Sequence, residues 1–270
     1  MTFSMWSFGH YLFLISPFIT LLILYLFTHK KTLSENRKIG IILSLIAIGL
    51  LILRNIEIWV VSGYQFDIEL LPLQVCHFAN FVLLIAFISN KQTWFNFALI
   101  LNLPAAFVSI LFANGLENYA NILTLRGIAY ILGHMLLVTI PLWTYLVGFT
   151  KLNFKTFFKT VKLVGILYFI SFFINNLMFV LFNQYSNYFY SLKPELGTPL
   201  ESFYNMGETI YIFNVFKFNP IYLILTALFA GVIMFTLYIG FYLHQIKWFN
   251  QLFKKDSNIT QERIVITESE

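Results

Sequence analysis

Charged residues and cysteines are scarce in this sequence. Only 11% of its 270 residues are charged, whereas about a quarter is usual in a soluble domain. Cys76 is the single cysteine, which excludes an intrachain disulfide and a zinc site built on several cysteines. The Gly-x-Ser-x-Gly elbow, the Walker loop, the His-Glu-x-x-His motif and the His-x4-Asp pair are all missing, so the familiar signatures of these enzyme classes give no guide. We predict no metal and no cofactor.

Apolar residues dominate instead. They make up 59% of the chain, including 32 Phe and 15 Tyr, and the mean hydropathy is +0.77. A membrane span needs about 20 mostly apolar residues, and seven stretches qualify. They lie at 9–28, 39–61, 72–89, 93–113, 127–147, 161–183 and 219–245. The sequence therefore predicts an all-α, polytopic bundle of seven transmembrane helices whose solvent is mostly lipid.

The basic residues predict the orientation of this bundle. They concentrate in every second connection and in the C-terminal tail: Lys30, Lys31, Arg37 and Lys38, then Lys91, then Lys151, Lys155, Lys159 and Lys162, and finally Lys247, Lys254, Lys255 and Arg263. This alternation is the positive-inside pattern. It places the N-terminus outside and the C-terminus in the cytoplasm, in the plasma membrane. The net charge of +5 then reports topology and not a nucleic-acid partner. Residues 1–253 form the predicted membrane domain, and 254–270 a polar, disordered tail.

Several polar residues fall within the predicted spans, where each is a candidate for function because polar groups are costly in lipid. At 1.5 Å per residue, Glu57 and Cys76 lie roughly 6–8 Å below the outer boundary, and His134, Asn80 and Asn175 roughly 10–13 Å below it. The sequence therefore predicts one outward-facing cavity in the outer leaflet. Its supporting residues are expected to be Glu57, Asn80, Asn175 and Asn176.

Each of these residues also has a purely structural interpretation. A buried cysteine is usually an inert apolar side chain, and a histidine in the middle of a helix is often only hydrogen-bonded. Arg54 and Glu57, three residues apart, can form a structural ion pair, and paired asparagines can simply join helices. His77 adjoins Cys76 but points about 100° away from it on a helix, so we do not expect the two to act as partners. We expect His77 to face the interface.

Taken together, a cysteine, a histidine and asparagines around one cavity are the parts of an activated thiol. A nearby imidazole takes the thiol proton and favours the nucleophilic thiolate. Arg54, Arg126 and Lys193 would hold a lipid phosphate near the mouth. A thiol at the depth of phospholipid ester carbonyls suits acyl transfer through a thioester, with phospholipids or other acyl lipids as partners. The sequence thus predicts a thiol-dependent phospholipid acyltransferase or hydrolase that uses Cys76 and His134.

Three short motifs resemble those of the YwaF-like integral membrane family. They are Leu71-Pro72-Leu73-Gln74-Val75-Cys76, then Gly133-His134, and then Asn187-Tyr188-Phe189-Tyr190 with Lys193-Pro194. A eukaryotic branch of that family is a phospholipid acyltransferase similar in fold to the androgen-inducible membrane hydrolases. The resemblance implies that Cys76 is the nucleophile and His134 the base. This chain departs from the pattern at Gln74, where the family has a histidine.

Two other classes of function remain open. A transporter or solute-binding membrane protein would use the same cavity for a small polar molecule, with Arg54 and Glu57 as its ligands. A seven-helix receptor would fit the span count and the orientation. The last predicted span contains no lysine, which excludes a retinal Schiff base in that span.

Overall fold

The computed structural model describes residues 2–113, 116, 121–184, 186–194, 198–213 and 216–267, without the side chains of residues 69 and 248–267. Its helices are α1 (Phe8–Thr28), α2 (Leu33–Val61), α3 (Val75–Ser89), α4 (Gln92–Phe97), α5 (Leu103–Leu111), α6 (Leu125–Leu146), α7 (Phe154–Phe182), α8 (Pro199–Asn205) and α9 (Pro220–Thr267). A π-helical segment, Ala98–Asn102, joins α4 to α5. Short 3-10 turns cover Ile68–Leu70 and Tyr188–Tyr190. The strands β1 (Ile210–Ile212) and β2 (Phe216–Phe218) form one antiparallel hairpin before α9.

Six helical segments in the described part of the chain are long and apolar enough to cross a membrane. They are Phe8–Thr28, Leu33–Val61, Gln92–Leu111, Leu125–Leu146, Phe154–Phe182 and Pro220–Lys247. The prediction of seven such helices is wrong at 72–89, because α3 has 15 residues and rises only about 22 Å against a hydrocarbon core of about 30 Å. Residues 71–74 form turns instead of helix, a difference that hydropathy alone does not reveal.

Outward-facing apolar side chains identify lipid as the surrounding solvent. Leu26, Phe158, Phe169 and Leu228 are each exposed over more than half of their surface. In a soluble protein such a continuous apolar surface would drive aggregation. The fold is therefore an all-α membrane bundle with one small hairpin, and the protein is a multi-pass membrane protein.

Local sequence explains where the helices begin and end. Thr32 and Glu35 form a capping box in which each satisfies a backbone N–H of the other. The Asn153 side chain accepts from the Thr156 N–H at the start of α7. Asn90 and Asn183 adopt left-handed backbone angles directly after α3 and α7, which asparagine tolerates better than most residues, and so end those helices.

Helix α3 packs alongside α2, and hydrogen bonds join the two segments near both ends of α2. The Arg37 guanidinium, near the start of α2, donates to the carbonyls of Phe87 and Ile88 at 2.7 Å each. At the other end of α2, the Asn55 amide donates to the Leu70 carbonyl at 2.9 Å. The helix α3 therefore runs antiparallel to α2 along most of its length.

Helix α6 is the centre of the bundle and packs against α1, α2 and α5. The fully buried Trp143 donates its indole N–H to the Thr28 hydroxyl at 2.8 Å. Thr139, also buried, donates to the Pro17 carbonyl at 3.0 Å. Because α6 is held on several sides, the residues along its N-terminal half have fixed positions relative to α2 and α3.

The last helix extends without a break from Pro220 to Thr267. Its apolar part ends at Lys247, so the polar residues that we predicted to be a disordered tail, 254–270, include the end of a continuous backbone helix. The division of the chain into a membrane domain and a tail at residue 254 stays a prediction.

Candidate functional site

A small cavity of about 40 Å³ lies between α2, α3 and α6. Its polar lining consists of Arg54, Cys76, His77, Asn80, Tyr130 and His134. The rest of the lining is apolar or glycine, so the polar groups converge on a space with otherwise apolar walls. The structure thus brings Cys76 and His134 to one cavity, although 58 residues of sequence separate them.

Cys76 occupies the first turn of α3. Its Sγ lies 3.8 Å from the Oγ of Ser109 on α5. The Ser109 hydroxyl donates its hydrogen to the Ala105 carbonyl at 3.0 Å, so the thiol is the donor in the Cys76–Ser109 contact. The resting thiol therefore donates toward Ser109 on α5.

His134 is fixed in one tautomer. Its Nδ1 lies 2.8 Å from the Tyr130 carbonyl oxygen, one turn earlier in α6. A carbonyl only accepts hydrogen bonds, so Nδ1 carries the hydrogen and Nε2 keeps its lone pair. The centroids of the His134 and Tyr130 rings lie 4.2 Å apart. The Tyr130 hydroxyl donates to the Ser109 carbonyl at 2.8 Å. Tyr130 thereby joins the histidine to the segment that contacts the thiol.

His77 lines the same cavity, and the expectation that it faces the interface is wrong. The helical angle of 100° describes the Cα–Cβ directions, whereas a long imidazole in the first turn of α3 can still reach the space between α2 and α6. Its Nδ1 is buried and makes no hydrogen bond with any described residue. His77 and Tyr130 are polar cavity residues that sequence reasoning did not select, and only their proximity in sequence to Cys76 and His134 could have suggested them. Sequence reasoning also missed Ser109, which contacts the thiol from outside the cavity lining.

Asn80 also lines the cavity and is 5% exposed. Its Nδ2 donates to the carbonyls of Cys76 and His77 at 3.2 Å each. Its Oδ1 is buried and has no partner among the described residues. Asn80 therefore holds the first turn of α3 and offers one free acceptor to the cavity.

Glu57, which we predicted to support the site, is a residue of α2 whose side chain reaches the start of α6. Its carboxylate accepts from the backbone N–H of Arg126 at 2.8 Å. A carboxylate at a helix N-terminus satisfies a free N–H and complements the helix dipole. The structure thus places Glu57 and Arg126 beside each other, outside the cavity, whereas Arg54 lines it and donates to the Asn55 side chain at 2.9 Å.

Asn175 and Asn176 also lie away from the cavity. The fully buried Asn175 accepts from the Ser186 hydroxyl at 2.7 Å and from the Tyr188 N–H at 2.8 Å. Asn176 accepts from the Lys217 N–H at 2.8 Å. These side chains hold the connection after α7 and the hairpin before α9, and they do not contact His134.

Lys193 lines a second, larger space of about 590 Å³, which we call the outer basin. The basin lies between residues 62–68 and 184–193 and is also lined by Gln74, two residues before Cys76. The three predicted headgroup ligands are therefore in different places: Arg54 in the cavity, Lys193 in the basin and Arg126 beside Glu57. Within the described residues, no group of three or more His, Cys, Asp or Glu side chains is placed to hold a metal ion.

Comparison with known proteins assigns the family. The model of the TMEM164 family matches residues 5–238, while no curated protein and no solved structure matches the chain. This match corrects the resemblance to YwaF-like proteins, which rested on three short motifs and not on the length of the chain. Because the match runs from before α1 into the apolar part of α9, the chain belongs to the TMEM164 family.

Proposed function

We propose that the protein transfers fatty acyl groups between membrane lipids through a thioester on Cys76, with His134 as the base. The observation that carries the proposal is the shared cavity, in which the free Nε2 of His134 and the thiol are the two groups that such a reaction needs. Membership of the TMEM164 family supports the same chemistry, because the family is known for an acyltransferase-like membrane protein.

The first half of the reaction forms the thioester. The thiol turns from Ser109 and gives its proton to Nε2 of His134, and Sγ attacks the ester carbonyl of a donor lipid. As the tetrahedral intermediate collapses, the carbon–oxygen bond of the ester breaks. The protonated His134 returns the proton to the departing oxygen, which leaves as the hydroxyl of a lysolipid.

The second half transfers the acyl group. The hydroxyl of an acceptor lipid gives its proton to Nε2 of His134, and its oxygen attacks the thioester carbonyl. The carbon–sulfur bond then breaks, and the thiolate takes the proton back from His134. One acyl group has moved. The original thiol proton is now on the lysolipid hydroxyl, and the acceptor's hydroxyl proton has replaced it on Cys76. Water in place of the acceptor lipid would give hydrolysis by the same steps.

The start of α3 supplies groups that would stabilise the negative oxygen of each intermediate. No side chain caps this helix start at Gln74, so the first N–H groups of α3 are available as donors. Donors that are fixed beforehand in a dry site are the most effective kind of catalytic stabilisation. The positive charge of Arg54 at the same cavity acts in the same direction.

The size of the cavity sets a requirement on binding. Its volume of about 40 Å³ accommodates roughly one to three water molecules and not an acyl chain. The donor ester must therefore enter by moving side chains between α2 and α6. We propose that the chain of the lipid stays in the bilayer and only its ester region enters.

Thioester labelling tests the proposal. Membranes that hold the full chain are incubated with a phospholipid carrying an alkyne-tagged acyl chain, and the label on the protein is released with neutral hydroxylamine. We expect release from wild type and none from Cys76→Ala or His134→Ala. His29→Ala is the control for the histidine, because His29 is exposed at the end of α1 and bonds only its own helix. Equal labelling of wild type and Cys76→Ala, the variant without any cysteine, would refute the thioester.

We further propose that the N-terminus lies outside, the C-terminus in the cytoplasm, and the site in the outer leaflet of the plasma membrane. The positive-inside pattern supports this orientation. The antiparallel α3 supports it as well, because it returns the chain from the end of α2 to the start of α2 although it is shorter than the six long helices. In a Cys76→Ala background, a membrane-impermeant maleimide should label Gln65→Cys in intact cells and Lys151→Cys only after lysis. The opposite result would invert the orientation.

A further inference from the structure

We propose that the outer basin binds the phosphate of a glycerophospholipid headgroup through Lys193. This inference rests on the proposed function, because it names where one of the two lipids would be held. The basin is about 590 Å³, within the range of pockets that bind small molecules. Amide side chains are the most frequent type in its polar lining, and Lys193 is the cation there among the described residues.

The backbone of Lys193 is held rigidly. The Asn187 side chain accepts from the Lys193 N–H at 3.2 Å and donates to the Lys193 carbonyl at 2.9 Å. The hydroxyl of the fully buried Tyr222 lies 2.8 Å from the same carbonyl oxygen. The side chain, by contrast, is exposed, and its ammonium group makes no hydrogen bond or ion pair with a described residue. A free cation on a fixed backbone is pre-organised for an anion.

The segment that carries this lysine is strained. Phe189 and Tyr190 are consecutive residues with φ of 54° and 53°, a left-handed conformation that is costly for aromatic side chains. The four hydrogen bonds that Asn175 makes to Ser186, Tyr188 and Ser191 hold the segment in place. Strained backbone that the surroundings hold in this way clusters at binding sites.

Both walls of the basin are joined to each other and to α3. The Tyr188 hydroxyl donates to the Ile68 carbonyl at 2.9 Å, and the Gln184 side chain accepts from the Ile68 N–H at 3.2 Å. The Phe189 ring packs on Phe78 in α3, with ring centroids 6.1 Å apart. Gln74 lines the basin and Cys76 lines the cavity. Along the chain, only Val75 therefore lies between a residue that lines the basin and the proposed nucleophile.

The chemistry of the lining selects the ligand. A lysine ammonium is a compact charge that binds phosphate well. The amides of Gln65, Gln74 and Gln184 can hydrogen-bond the ester and glycerol oxygens beside it. The Asp67 carboxylate also lines the basin, so the anion must lie on the Lys193 side. A glycerophosphate unit, with its acyl esters directed toward α3, satisfies these conditions.

Binding is tested on the full chain with Cys76→Ala, purified in a nonionic detergent and followed by native mass spectrometry. The probes are dihexanoyl phosphatidylglycerol, dihexanoylglycerol, which lacks the phosphate, and sn-glycerol 3-phosphate. We expect the phospholipid to bind and the dihexanoylglycerol not to. Lys193→Gln should weaken phospholipid binding about tenfold, as expected for one charge-assisted hydrogen bond, and Lys193→Arg should stay within about twofold of wild type.

Lys155→Gln is the matched control, because Lys155 is exposed near the start of α7, at the opposite end of the bundle from the basin. Displacement of the phospholipid by glycerol 3-phosphate would support the site and identify a soluble phosphate ester as its ligand, and no displacement would support a lipid-borne headgroup. Equal binding by Lys193→Gln and wild type, or by dihexanoylglycerol, would overturn the proposal. Because the variant lacks the thiol, this result is independent of the thioester test.

Discussion

The thiol of Cys76 rests against the hydroxyl of Ser109, with Sγ 3.8 Å from Oγ. Because the serine hydrogen goes to the Ala105 carbonyl, the serine oxygen acts as a weak acceptor for the thiol hydrogen. This contact fixes the direction of the thiol in the resting state. Ser109 is thus a positioning residue for the resting state of the proposed nucleophile.

Replacing this serine should release the thiol. In Ser109→Ala the S–H group loses an acceptor worth about 0.5–1 kcal/mol, so we expect alkylation of Cys76 by a small maleimide to become about threefold faster. His134→Ala in the same background should remove the gain, since the freed thiol then lacks its base. The measurement is the rate of mass increase in intact protein. A slower or unchanged rate in Ser109→Ala would show that the serine does not restrain the thiol.

Glu57 should act on stability and not on the thiol. Glu57→Ala removes the acceptor of the Arg126 N–H at the start of α6, and we expect a loss of about 1–2 kcal/mol in the free energy of unfolding. Glu57→Gln keeps an acceptor oxygen and should lose less. Thermal unfolding in detergent measures the change in stability, and thioester labelling measures any effect on the thiol. Unchanged stability with abolished labelling would instead make Glu57 part of the proposed reaction.

The two neighbouring asparagines should control different segments. Asn175→Ala removes the bonds to residues 186–191, so amide hydrogen exchange should become faster there. Asn176→Ala removes the acceptor for Lys217 and should accelerate exchange in residues 216–218. Each variant is the control for the other, and exchange measured by mass spectrometry separates them. Identical exchange patterns would show that the two side chains have no separate roles.

The contact between α2 and α3 depends on a glycine. A methyl group at Gly40 would overlap the ring of Phe87, which is fully buried. Gly40→Ala should therefore destabilise the protein by about 1–3 kcal/mol through overpacking. Gly49, on the same helix, has open space around it, so Gly49→Ala should leave stability unchanged or raise it by up to about 1 kcal/mol. Thermal unfolding of the pair is the measurement, and equal stability would contradict the predicted packing.

Sequence reasoning predicted the membrane class and the six long spans because hydropathy is summed over about 20 residues and tolerates local error. It was wrong at 72–89, where Pro72 and its neighbours continue the apolar pattern without continuing the helix. It also misjudged His77, since an ideal helix angle does not account for the reach of a side chain in a first turn. The family resemblance was wrong for a related reason, because three short motifs carry less information than a match over residues 5–238.

By itself, the sequence determined that most of the chain is surrounded by lipid, because its long uncharged, phenylalanine-rich stretches can satisfy their backbone polar groups in a membrane only as helices. It also indicated which polar residues lie at membrane depth. Only the tertiary structure decided which of them meet: Cys76 and His134 at one cavity, Glu57 at the start of α6, and Asn175 beneath the connection after α7. The physical reason is that hydropathy fixes the depth of a residue along its helix, whereas the rotation and neighbours of that helix come from packing between distant segments.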